Sequence, residues 1–206
     1  MTTLKPMPNS CTDHCGRFIA LTLLIGCLLP LGVQAAQDPQ SVLTLYQTVE
    51  NGSELSCSET VPGPGTNTTA WFFPRDPERC QGNEQDEEDK VFKPHSIRIR
   101  NAPAAAKFIL SDTKTNQHRC SQEQGSNWIE LETTSPLAAL EKMGLDKITD
   151  YPPGYIYNLG SDTAEGAPRA ARSKGFKLVA FQGVIDQGKL NCIEITTSAG
   201  ESSGGK

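Results

Sequence analysis

The chain has 206 residues, a formal net charge of −5 and 36 % hydrophobic residues, only 6 % of the total being aromatic. Its acidic balance disfavours nucleic acid and anionic membrane surfaces as partners. Its length, less a leader, suits one domain large enough for a real core.

Lys5 and Arg17 precede an apolar run from Phe18 to Val33 that Pro30 and Gly32 interrupt, and Val33-Gln34-Ala35 supplies a cleavage site. This is the pattern of a secretory signal peptide over residues 1–35, bacterial in appearance. The run is too short and too broken for a membrane span. Leu24-Ile25-Gly26-Cys27 also fits a lipoprotein processing site, which offers the alternative of a lipid anchor on Cys27. Cleavage after Ala35 removes Lys5, Asp13 and Arg17, making the remainder more acidic. It also leaves four of the seven cysteines: Cys57, Cys80, Cys120 and Cys192. An even count in an exported chain predicts two disulfides, and no Cys-x2-Cys spacing suggests zinc.

The expected domain runs over residues 36–197. Residues 43–60 predict a hairpin: Leu43, Leu45 and Val49 share a face, and Asn51-Gly52 is a tight-turn signal of the type I′ kind. The Pro/Gly/Thr segment 61–70 predicts a loop, Trp71-Phe72-Phe73 the start of a strand, and 74–90 a long polar loop. Ser96-Ile97-Arg98-Ile99-Arg100 and Lys107-Phe108-Ile109-Leu110 read as a strand pair turning at Asn101-Ala102-Pro103, and residues 128–133 alternate as another strand. A helix is predicted over 136–143, with Ser135 as N-cap, Pro136 at the first helical position and Gly144 ending it. Residues 177–196 predict a second hairpin with Asp186-Gln187-Gly188 at its turn. The tail 198–206 has nothing to bury and reads as disordered.

The two predicted hairpins are copies of one pattern. Residues 43–60 align without gaps with 178–195, and Leu43/Leu178, Gln47/Gln182, Val49/Val184, Leu55/Leu190, Cys57/Cys192 and Glu59/Glu194 are identical. A weaker correspondence joins Phe72-Phe73-x-x-Asp76 and Arg79-Cys80 to Phe108-Ile109-x-x-Asp112 and Arg119-Cys120. Exchanging the copies leaves all three disulfide connectivities possible. Cys57–Cys80 with Cys120–Cys192 is the expected pairing, because Cys80 closes the shortest loop with Cys57.

Residues 86–133 contain an acidic run, then SIRIRNAP, then KFILSD, then a loop and WIEL. On these motifs the segment resembles the βγ-crystallin-like modules of secreted microbial proteins. That resemblance implies a Greek-key β-sandwich and, in many members, Ca²⁺ held in paired loops. The positions ahead of Ser96 hold Val91, Phe92 and His95 instead of the family's Asn/Asp pairs.

The chemistry-bearing residues are sparse. Glu84, Asp86, Glu87, Glu88 and Asp89 are oxygen donors suited to Ca²⁺, or else a solvated run; Ca²⁺ is the one cofactor suggested. The mature histidines, His95 and His118, sit in no nucleophile or metalloprotease motif. Tyr151, Pro152, Pro153, Tyr155 and Tyr157 form a Pro-rich stretch flanked by tyrosines, the preferred contact patch. The basic stretch Arg169 to Lys177 is a second candidate. The sequons at Asn51 and Asn67 read as incidental. The expectation is an all-β Greek-key or sandwich domain, secreted or periplasmic, that binds a protein or glycan without catalysis. An envelope hydrolase using carboxylates and a calcium-stabilised module are the alternatives.

Overall fold

The computed structural model describes residues 39–82, 90–157 and 173–198. They form two antiparallel sheets. The four-stranded sheet has the order β2-β1-β4-β7, from β1 (Val42–Thr48), β2 (Glu54–Thr60), β4 (Ser96–Ala102) and β7 (Ala138–Gly144). The six-stranded sheet has the order β3-β10-β5-β6-β9-β8, from β3 (Thr69–Phe72), β5 (Ala106–Ser111), β6 (Trp128–Thr133), β8 (Ile156–Tyr157), β9 (Phe176–Gln182) and β10 (Cys192–Thr197). One short helix, α1 (Leu145–Ile148), follows β7.

Alternation places one face of each sheet in a shared core. Leu43, Leu45, Ile97, Ile99 and Leu140 come from the smaller sheet. Phe72, Phe108, Leu110, Ile129, Leu131, Phe176, Leu178, Ile193 and Ile195 come from the larger, all at most 1 % exposed. The all-β sandwich and both disulfides agree with the expected fold: Cys57 is joined to Cys80 and Cys120 to Cys192.

Three expectations of element type or pairing need correction, and one of turn type. The predicted helix over 136–143 is strand β7, and the helical turn lies later, at Leu145–Ile148. Ala138 and Leu140 are fully buried opposite Ala102 and Ile99, and Leu137 has φ +53°, which no right-handed helix accepts. Burial against β4 outweighs a helix preference worth only tenths of a kcal/mol per residue.

The next two corrections concern pairing. Strands β4 and β5 exist where expected but lie in different sheets, so the chain crosses the sandwich between them. Likewise β9 and β10, the arms of the expected hairpin over 177–196, are separated by β5 and β6. Of the two copies, only 43–60 closes as a hairpin, with β1 on β2 from Val42↔Thr60 to Thr48↔Glu54. Its connection is a five-residue loop with Gly52 N donating to Val49 O at 2.8 Å and Gly52 at φ +78°, not a two-residue type I′ turn.

The weaker correspondence also has a structural counterpart. Phe72 and Phe108 are buried inward, while Phe73 and Ile109 pack together on the outer face with Cys120 and Cys192. Asp76 accepts from the backbone of Glu78, and Asp112 accepts from the backbone and side chain of Asn127.

Candidate functional site

The predicted Tyr-Pro-Pro patch is assembled on β9. Gly154 N donates to Leu178 O at 2.7 Å, Leu178 N donates to Tyr155 O at 2.8 Å, and Tyr155 N closes the turn on Pro152 O at 3.1 Å. Gly154 supplies the positive φ, +89°, that this turn requires. Tyr151 stacks on Tyr155 with centroids 4.2 Å apart, and Tyr157 meets both rings edge-on at 5.4 and 5.0 Å. Tyr157 is the foundation of the cluster: it is 4 % exposed and its hydroxyl donates to Ile148 O at 2.9 Å. Burial first, then the neighbouring Tyr151 and Tyr155, hold that hydroxyl well above the usual tyrosine range. Tyr157 therefore belongs to the core and not to the contact surface. Pro152 and Pro153 are exposed above it, Tyr151 and Tyr155 are half-buried, and Ile156 at 42 % exposure adds an apolar residue that the expected patch omitted.

The acidic candidates Asp86, Glu87, Glu88 and Asp89, with Glu84, lie outside the described residues, as do Arg169 to Arg172. Among the described residues no three His, Cys, Asp or Glu side chains gather as a metal site requires, and no helix is long and apolar enough to cross a membrane. His118, at φ +56°, lies edge-on to Phe73 at 6.0 Å, and Lys114 Nζ stands 5.4 Å from the same ring.

His95 lies where the open ends of β1 and β4 meet the loop after β9. Its Nε2 is 2.7 Å from Thr48 Oγ1, and it lines a cleft of about 290 Å³ with Gln47, Glu50, Lys93 and Gln187. Burial, then the Lys142 ammonium, lower its pKa below 6.5 against the opposing pull of Glu54 and Asp146. Lys142 is itself paired with Glu54 and stands 4.6 Å over the Tyr46 ring, while Arg98 pairs with Glu141 at 3.3 Å. This outer face of the smaller sheet is knitted together by its own side chains.

The outer face of the six-stranded sheet holds an arrangement that sequence reading passed over. The segment between β5 and β6 folds over one half of it as a flap. Cys120–Cys192 pins the flap, and further hydrogen bonds run from Ser111 Oγ to Ser121 O, 2.8 Å, and from Gln182 Nε2 to Ser126 O, 3.0 Å. The flap's disulfide and Phe73 cover Ile109, and beyond them the face is open. Register puts Trp71, Glu194, Ile109 and Glu130 in one row, and Thr69, Thr196, Lys107, Glu132 and Lys177 in the next. Trp71 is 37 % exposed, and its Nε1 donates to Glu194 Oε2 at 3.0 Å. Glu130 accepts from Lys107 Nζ at 2.8 Å and from Gln122 Nε2 of the flap at 3.2 Å. The only available sequence signal was that Trp71 and Glu194 both fall on outward positions of strands. Their pairing needs a register that no local pattern specifies.

Comparison with protein families, with curated proteins and with solved structures gives no match.

Proposed function

We propose that this chain is an exported, non-catalytic binding module that engages a protein partner through the β8 end of its larger sheet. The observation that carries this reading is the Tyr151–Tyr155 stack. It stands on buried Tyr157, is hydrogen-bonded to β9, and holds Pro152, Pro153 and Ile156 outward. Aromatic and proline side chains already fixed in place lose little entropy on association. An apolar residue beside them gives the contact a desolvated centre. Two disulfides suit an oxidising compartment outside the cytoplasm, in keeping with the leader-like residues 1–35.

The test is site-specific photocrosslinking of the full chain in its source cells. A photoreactive residue at Pro153 should give a discrete adduct with one extracytoplasmic protein, and Ile156→Lys should suppress it. A photoreactive residue at Ser58, on the outer face of the smaller sheet, should give none. Absence of an adduct from Pro153, or the same adduct from both positions, would refute the reading. The amino terminus of the exported chain should be Ala36; a lipid-modified Cys27 would instead establish an anchored form.

A further inference from the structure

The open half of the six-stranded sheet is stepped. The flap stands as a riser, and the row Thr69, Thr196, Lys107, Glu132, Lys177 forms the tread, with Trp71 beside it on the outermost strand. From this geometry we infer that the step is a binding site for a neutral polysaccharide, with Trp71 as the platform for one pyranose ring.

A pyranose presents an apolar C–H face and a rim of hydroxyls. Trp71 supplies the matching flat, partly exposed ring, and its orientation is fixed because Nε1 is already committed to Glu194 Oε2. Around it lie the partners a hydroxyl rim needs. Glu194 and Glu130 are acceptors, Lys107 is a donor, and Thr69 and Thr196, whose hydroxyls are 3.2 Å apart, serve as either. These groups sit on paired strands about 5 Å apart, so the row from Trp71 to Glu130 spans roughly 14 Å, the length of a short oligosaccharide. Cross-strand bonds already hold them, so little side-chain freedom remains to be lost on binding.

The charges select the class of glycan. Glu130, Glu132 and Glu194 are interleaved with Lys107 and Lys177, and the whole chain is acidic. A polyanionic glycan would meet repulsion, and among the described residues no basic stripe lies there to hold it. A protein partner would favour a dry apolar centre ringed by polar groups. Here Trp71 lies among charged and hydroxyl groups, while Phe73 is taken up against Ile109 and His118, which fits a ligand rich in hydroxyls. Hydrolysis is not part of the inference, because Glu194 and Glu130 are already hydrogen-bonded and, with Glu132, lie on an open face and not in a cleft.

The site is tested with the whole exported chain by affinity electrophoresis through gels containing β-1,4-glucan, β-1,3-glucan, xylan or galactomannan, and by calorimetry with a chito-oligosaccharide hexamer. At least one probe should bind. Trp71→Ala should weaken that binding roughly tenfold or more, as loss of a central aromatic contact does. Trp71→Phe should retain part of it, and Glu194→Gln should lose affinity with an unchanged unfolding midpoint. The other tryptophan, Trp128, has its Nε1 buried without a hydrogen-bond partner among the described residues. In a Trp128→Phe background the fluorescence therefore reports Trp71, and it should shift to the blue on adding the bound probe. Ile156→Lys, at the opposite edge of the sheet, should leave glycan binding intact, so the outcome is independent of the crosslinking result. Failure of every probe to bind, equal binding by wild type and Trp71→Ala, or loss through Ile156→Lys would overturn the inference. Self-association that Trp71→Ala abolishes, in place of glycan binding, would assign the step to a second copy of the chain and overturn it as well.

Discussion

The segments 43–60 and 178–195 share a sequence pattern and use it in opposite ways. Leu43 and Leu178 are both fully buried, and Cys57 and Cys192 both form disulfides. Their neighbours differ. Leu43 pairs with Glu59 of its own return strand, whereas the backbone of Leu178 holds the Tyr-Pro-Pro turn. Gln47 accepts from Lys93 N, whereas Gln182 donates to Ser126 O of the flap. Glu59 binds Arg79, beside its own disulfide, whereas Glu194 binds Trp71. The first copy closes on itself. The second is opened by β5 and β6, and its two strands acquire the outside neighbours β8 and β3. Both proposed surfaces hang from this opened copy. A strand's alternation decides which face meets the core, and leaves open which strand lies beside it.

The disulfides should separate the two copies most strongly. Replacing Cys120 and Cys192 by Ser should cost about 4 kcal/mol, and replacing Cys57 and Cys80 about 3 kcal/mol, because the bridges span 72 and 23 residues. Guanidinium unfolding of the two double variants measures both. The reverse order would mean that the first copy, not the second, depends more on its tether.

Glycine substitutions should sharpen the contrast. Gly183 (φ +64°) would place a Cβ 1.9 Å from Asn127 Oδ1, while Gly52 (φ +78°) has open space. Gly52→Ala bears only the backbone penalty, about 1 kcal/mol, and Gly183→Ala adds a steric clash for a total of about 3 kcal/mol. Equal unfolding midpoints would show that Asn127 moves freely and that the flap is loosely held.

Tyr157→Phe removes a buried hydrogen bond and should cost about 1 kcal/mol. It should also change the alkaline limb. The folded state resists ionising Tyr157, while the unfolded chain ionises near 10.0, so this contribution is present below pH 10 and falls as the pH rises beyond it. A stability profile of Tyr157→Phe that declines as steeply as wild type above pH 10 would remove this role.

The smallest effect belongs to His95, beside the first copy. Its pKa is lowered in the fold, so its contribution is intact above pH 6.5 and is lost as the pH falls below that value. His95→Asn should flatten that part of the acid limb; an unchanged slope would assign it to other groups.

Legibility followed the range of the forces involved. The strands at 42–48, 96–102 and 128–133 could be read because alternation is local, and the disulfide pairing followed from the short Cys57–Cys80 loop. The helix at 136–143 was misread because Ala138 and Leu140 serve a strand as well as a helix until β4 is known to lie opposite. The hairpin at 177–196 was misread because nothing in Asp186-Gln187-Gly188 announces that two other strands intervene. At the sites, Tyr151, Pro152, Pro153 and Tyr155 were visible as one contiguous run. Trp71 and Glu194 are neighbours, and Glu130 lies in the same row beyond Ile109, only through the register of strands far apart in sequence.

The central claim is that equivalent residues of the two copies have parted into scaffold and binding surface. Glu59 and Glu194 occupy the same place in the repeat, so the most direct test is to measure Glu59→Gln and Glu194→Gln side by side on the polysaccharide that retards the wild-type chain. The account predicts unchanged retention for Glu59→Gln and severalfold weaker binding for Glu194→Gln, with both variants fully folded. Equal retention of the two variants, or loss confined to Glu59→Gln, would contradict it.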